Sequence, residues 1–216
     1  MPKKHSENLN KRFISFEGID FSGKSTQIVL LTRALEDRGQ SVLVLREPGG
    51  TYISEKIRDI LLDIQNTSMT PLTETLLYSA ARHQLLRERI IDELNSGNFV
   101  IADRYVDSTT AYQGYGRKLP LDFIKELNKI VTMDVLPALT FYLDIDFEES
   151  VRRRKKHGEK TDRIESTGRE FYTRIRKGYH KIAELDKSRV ITIDGHLSVE
   201  KIKQSIWEFA SQILNL

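Results

Sequence analysis

Five short apolar runs recur along the chain: "FISF" at 13 to 16, "VLVL" at 42 to 45, "FVIA" at 99 to 102, "LTFYLDI" at 139 to 145 and "VITI" at 190 to 193. Most are continuously apolar, the pattern of strands covered on both faces of a parallel sheet. Helical periods fill the intervals. Ile28, Leu31 and Leu35 fall at i, i+3 and i+7 with Gly39 as a stop, which predicts a helix over about 24 to 38. Pro71 and Gly97 frame one long helix over 71 to 96. Val199, Ile202, Ile206, Phe209 and Ile213 form a last stripe that should pack on the sheet. This alternation predicts an α/β, doubly wound fold with right-handed crossovers and ligands at the strands' carboxyl ends.

The chain has 216 residues, 39% hydrophobic and 30% charged, which excludes disordered, collagenous and membrane classes and suits one domain. There is no internal repeat or long linker, so a single domain over 12 to 216 is expected. Residues 1 to 11, basic and polar, are expected to form a flexible arm and not a secretory signal. No apolar run approaches the roughly 20 residues needed to span a bilayer, so no membrane partner is expected. With no cysteine there are no disulfides or thiolate zinc sites, and a cytoplasmic location is expected. A net charge of +3, from 34 basic and 31 acidic residues, is a small excess that a small phosphorylated ligand satisfies as well as nucleic acid does; no nucleic-acid partner is expected.

Residues 18 to 25, "GIDFSGKS", fit GxxxxGK[ST] between a predicted strand and a predicted helix, which is the context of a phosphate-binding P-loop. Gly18 and Gly23 let the backbone through Ile19, Asp20, Phe21 and Ser22 turn its N–H groups onto phosphate oxygens. Lys24 reaches the terminal phosphates and Ser25 can ligate magnesium. Such a loop serves NTP hydrolysis, a GTP switch or phosphoryl transfer alike. No Asn/Thr-Lys-x-Asp guanine signature is present.

Three more clusters follow predicted strands. "EPGG" at 47 to 50 is a turn, with Arg58 on the helix after it as an anion ligand or a solvated arginine. In "DRYVDSTTAYQGYGR", Asp103 ends a strand where a carboxylate reaches magnesium directly or through water. Arg104 beside it suits a phosphate or a strand-end salt bridge. Tyr78 and Arg82 share a helix face at i and i+4, either as a stacking surface beside a donor fork or as core packing. "VRRRKKHGEKTDRIE" carries five consecutive basic residues, Arg152 to Lys156, and later Arg163. It reads as a solvated helix face or as a lid over about 150 to 165 whose arginines close on a transferring phosphoryl group.

Together "FEGIDFSGKST", "REPGG", "DRYVDSTTAYQGYGR" and "DRIE" resemble the thymidylate kinases, from about Phe13 to the C-terminus. The resemblance implies a P-loop NTPase fold, a five-stranded parallel sheet flanked by helices with a lid segment. It also implies ATP as donor, Mg2+ as cofactor, dTMP as acceptor and dTDP as product. ATP would lie on residues 18 to 26, held through Lys24, Ser25 and Thr26, with Asp20 near the acceptor. Glu47, Pro48 and Arg58 would line the dTMP site, and Tyr78 stands where the family usually stacks a phenylalanine on thymine. Arg82 would meet the thymine edge and Arg104 the dTMP phosphate, while Thr109, Tyr112 and Gln113 complete the nucleoside pocket. Phe21 stands where eukaryotic-type members carry an arginine, so a bacterial-type enzyme is expected, its catalytic set being Lys24, Arg104 and one of Arg152, Arg153 and Arg163. A homodimer is implied as well, with the 71 to 96 helix as its candidate interface. Open alternatives are a kinase for another small acceptor, a nucleic-acid-stimulated ATPase and a nucleotide-binding protein without catalysis.

Overall fold

The computed structural model describes residues 10–158, 162–164 and 167–214. Residues 1 to 9 of the expected arm, and 159 to 161 and 165 of the expected lid, lie outside them. Asn10–Arg12 form a 3-10 turn, so the end of that arm is part of the fold.

The apolar runs become β1 (Phe13–Glu17), β2 (Val42–Arg46), β3 (Phe99–Asp103), β4 (Leu139–Asp144) and β5 (Val190–Asp194). All pair in parallel, in the order β2-β3-β1-β4-β5. The expectation of strands covered on both faces holds for β1, β3 and β4, whereas β2 and β5 are partly exposed because they form the sheet's edges.

Alternation along the strands sorts side chains between two helical layers. On one side Ile14, Phe16, Ile101 and Phe141 pack against Leu31 and Leu35 of α1 (Lys24–Glu36). The C-terminal helix, named α9 below (Val199–Leu214), covers the same face. On the other side Phe13, Val100 and Ala102 meet Leu85, Leu86 and Ile90. Between α1 and α9 along the chain come α2 (Tyr52–Leu62), α3 (Pro71–Leu85), α4 (Ile91–Asn95), α5 (Val106–Thr109), α6 (Leu121–Thr132), α7 (Phe147–His157) and α8 (Arg169–Leu185). Tyr142 and Val190 pack against Ile175 and Tyr179 of α8.

Three helix predictions change in detail. The first helix ends at Glu36, two residues early, in a turn that closes on Gly39 at φ +74°. The predicted 71 to 96 helix is continuous but carries a π-helical segment at Leu86–Ile90 between α3 and α4. Leu85 at the end of α3 and Leu86 and Ile90 of this segment all enter one core cluster. In α9 the buried row is Ile202, Ile206 and Ala210, while Val199, Phe209 and Ile213 stay at least 38% exposed. Small Ala210 lets the helix lie close to the sheet and leaves the larger side chains on its shoulder.

A polar strut crosses the second layer. Arg189 donates from Nη1 to Asp107 Oδ2 at 2.6 Å and from Nη2 to Asp107 Oδ1 at 2.9 Å. Its Nη1 also reaches Thr140 Oγ1 at 2.9 Å, and Thr140 meets Ser15 across the β1/β4 pair at 2.7 Å. The strut anchors α5, and with it the segment that follows Arg104. No helix among the described residues is long and apolar enough to cross a membrane.

Removing one member of a buried ion pair strands the other and typically costs about 3 to 5 kcal/mol. Arg189→Met should lower the stability read from urea unfolding by about that much. A loss under about 1 kcal/mol would show that water reaches Asp107.

Candidate active site

Each strand ends at one edge of the sheet, where the sequence turns charged: Glu17, Arg46, Asp103, Asp144 and Asp194. Between β1 and α1 the glycine loop wraps the helix N-terminus. A Cβ on Gly18, at φ +136°, would sit 2.5 Å from the Leu143 carbonyl oxygen, so only glycine fits. Phe21 adopts φ +63°, an uncommon conformation for a side chain of its size. Asp20 to Thr26 line a cavity over the loop, and Lys24 Nζ donates to the carbonyls of Gly18 at 3.2 Å and Ile19 at 3.1 Å beneath it. Burial and then Arg104 depress the Lys24 pKa, against the opposing pull of Asp103, Asp20 and Glu17.

Ser25 Oγ donates to Asp103 Oδ2 at 3.4 Å, and the buried Asp103 Oδ1 has no hydrogen-bond partner among the described residues. A hydroxyl beside a carboxylate with a free buried oxygen is the donor set of a hard divalent cation, so these two residues fit magnesium.

A second cavity opens beyond Asp20. Every residue that the resemblance assigns to the acceptor, from Asp20 to Gln113, lines it. Tyr78 presents its ring there, with the hydroxyl pKa raised by burial. Arg82 is 2% exposed and braced from three sides: Nε to Glu47 Oε2 at 2.6 Å, Nη1 to Thr109 Oγ1 at 2.6 Å and Nη2 to the Tyr105 carbonyl at 2.9 Å. One N–H on each Nη is left over. Burial pushes the Glu47 carboxyl up to about 7 against the pull of Arg82. Arg58 Nη1 holds the Pro48 carbonyl at 2.9 Å, which ties α2 to the turn.

The cavities meet along Asp20, Glu47, Arg58, Arg104 and Asp162, which line both. Arg104 has φ +74°, a strained backbone that aims its side chain back across the loop. Its Nη2 pairs with Asp20 Oδ1 at 2.6 Å, its Nη1 donates to the Gly18 carbonyl at 2.8 Å, and its guanidinium lies 5.1 Å from the Tyr112 ring centroid. Burial raises the Asp20 pKa, and Arg104 and Lys24 more than reverse this, leaving it lowered.

The three lid candidates part company. Arg153 lines the loop cavity and donates from Nη1 to the Phe21 carbonyl at 3.2 Å and from Nη2 to the Gly195 carbonyl at 2.7 Å. Arg152, one residue earlier on α7, is 72% exposed and grips Glu149 with two nitrogens. Hydrogen bonds from Arg152, joined by those from Arg153, pull Glu149 down to about 2. Arg163 turns away from the loop and pairs through Nη1 with Glu74 Oε2 at 2.8 Å.

Besides Asp107 of the strut, two buried carboxylates escaped the sequence reading. Glu17 was visible as a charge closing an apolar strand, and Glu74 as the residue one helical turn before Tyr78; neither signal names its partners.

A family model described as thymidylate kinase matches residues 16–206. The thymidylate kinase of Chlorobaculum parvum is 47% identical over 201 residues, covering 89% of this chain and 92% of the relative. That of a Thermoanaerobacter species is 44% identical over 206 residues, covering 95% and 100%. The crystal structure of thymidylate kinase from Ehrlichia chaffeensis superposes with a TM-score of 0.74 at 32% identity, covering 91% of this chain and 96% of that one. Glycine loop, strand-end carboxylate and paired cavities thus occur in a chain that matches these proteins over nearly its whole length, and it belongs to the thymidylate kinase family.

Proposed function

We propose that this chain transfers the γ-phosphoryl group of ATP to the phosphate of dTMP, giving dTDP and ADP for dTTP synthesis. The observation that carries this reading is the pair of adjoining cavities sharing Asp20 and Arg104. One is floored by a phosphate loop, and the other is walled by an aromatic ring, a braced arginine and an amide. Two polyanions can therefore approach end to end across Arg104 and Arg58, which line both cavities.

Their mutual repulsion is the main barrier, and fixed positive charge in a water-poor crevice lowers it. Lys24 and the loop amides hold the donor phosphates, Arg104 and Arg58 the acceptor phosphate, and Tyr78 stacks on the base that Arg82 reads at its edge. Magnesium, held by Ser25 and Asp103, would neutralise charge on the donor phosphates. No general base is needed, because a nucleoside monophosphate oxygen is largely ionised at neutral pH. Arg153 is the lid residue with access to the developing charge, in keeping with a bacterial-type enzyme whose loop carries Phe21.

A homodimer and a cytoplasmic location complete the proposal. Exposed Leu72 and Leu76 on α3 and Ile60 on α2 supply apolar surface for a second copy, and a chain without cysteine suits a reducing compartment.

ADP release with ATP and magnesium should be fast with dTMP and slow with dCMP, dGMP and AMP. Preference for another monophosphate would overturn the acceptor, and acceptor-independent hydrolysis would overturn the kinase reading. Arg153→Ala should lower turnover at least about 100-fold, as loss of an arginine finger does, while Arg152→Ala should cost less than about tenfold. Equal losses in single-turnover assays would refute the choice between them. Asp103→Asn should raise the magnesium concentration for half-maximal rate by about 10- to 100-fold. An unchanged magnesium titration would remove Asp103 from the metal site.

A further inference from the structure

Glu74 is 1% exposed on α3, one turn before Tyr78 and two before Arg82. Its Oε1 accepts from Gln113 Nε2 and Arg117 Nε, both at 3.0 Å, and its Oε2 from Arg117 Nη2 at 2.9 Å and Arg163 Nη1 at 2.8 Å. Burial alone would raise its pKa, but the bonds from Arg117, Gln113 and Arg163 bring it below the ordinary carboxylate value. An ionised carboxylate accepts and never donates. The Gln113 amide must therefore turn its NH2 group toward Glu74, which leaves its carbonyl Oε1 for the cavity that Gln113 lines. Across that cavity Arg82 offers only N–H donors.

We infer that Glu74 is a positioning residue that sets base specificity: by fixing the Gln113 amide, it makes the pocket accept a base edge carrying N–H beside a carbonyl and reject the reverse order. The inference rests on reading the second cavity as the base pocket. Thymine would give its N3–H to Gln113 Oε1 and take an Arg82 N–H at its C4 carbonyl. Cytosine would set a lone pair against Oε1 and an amino group against Arg82. Both contacts would then be unmade in a closed pocket, the situation in which polar sites discriminate most strongly. Glu74 itself touches no base.

The test is kcat/KM for dTMP and dCMP with the full chain, Glu74→Gln, Gln113→Ala and the double variant. A glutamine side chain can offer either end of its amide, so Gln113 becomes free to flip. The dTMP/dCMP ratio should fall at least about tenfold in Glu74→Gln, chiefly through KM, and by less than about twofold more when the change is made on Gln113→Ala. Equal losses with both acceptors, leaving the ratio within about twofold, would overturn the inference and leave Glu74 only as an anchor for Arg117 and Arg163. If Glu74→Gln shows no cooperative melting transition, Gln113→Met replaces it. That variant keeps the volume and removes the amide, and an unmoved ratio overturns the inference just as firmly. A wild-type chain inactive on dTMP sinks the functional reading, whereas a dTMP-selective wild type with unmoved variants sinks only the role of Glu74.

Discussion

Glu17, fully buried at the end of β1, gathers donors from two distant parts of the chain. Its Oε1 accepts the backbone N–H of Tyr105 at 2.8 Å and that of Ser108 at 3.3 Å, and its Oε2 takes Ser108 Oγ at 2.6 Å and Tyr179 Oη at 2.8 Å. The phosphate loop starts at the next residue, and Arg104 lies immediately before Tyr105. One carboxylate thus clamps the loop to the segment carrying Arg104, which lines both cavities. Burial, and then Asp107, raise its pKa, with the hydrogen bonds opposing. A carboxyl that holds its proton more tightly when folded withdraws stability as pH rises from the ordinary carboxylate range toward its folded value. Accurate joining of the two halves therefore carries a thermodynamic cost.

Around that clamp, electrostatics and strain act together. Phe21 and Arg104 occupy positive-φ conformations on opposite sides of the crevice, the kind of local strain that only a well-determined surrounding sustains. The surrounding is provided by the Arg189 strut behind α5 and by Asp20 in front of Arg104. Arg82 is likewise spent first on the protein: its bonds to Glu47, Thr109 and Tyr105 fix the plane of the guanidinium before any ligand arrives. A site whose charges are already oriented needs little reorganisation when phosphate charge develops.

Much of this was present in contiguous stretches of sequence. Apolar runs located five strands, helical periods located α1, the run from α3 to α4 and α9 but not α6 or α8, and GxxxxGK[ST] identified the phosphate loop, because each is a property of neighbours along the chain. Tyr78 and Arg82 were legible as one face because a helix fixes the relation of i to i+4. Strand order, the edge exposure of β2 and β5 and the Leu86–Ile90 π segment were not, since each depends on what packs alongside. Arg152 and Arg153 look alike in a basic run, yet their places on α7 differ by about 100° of helix rotation, which sends one into solvent and the other over the loop. Glu17 and Glu74 read as single acidic residues until the chain closes on them, bringing Tyr179 and Arg163 from far along the sequence. The sequence by itself determined the strands, three of the helical stretches, the phosphate loop and the family. Only the tertiary structure decided which charges face each other, because electrostatic partnership depends on distance in space and on burial, and neither is written in local order.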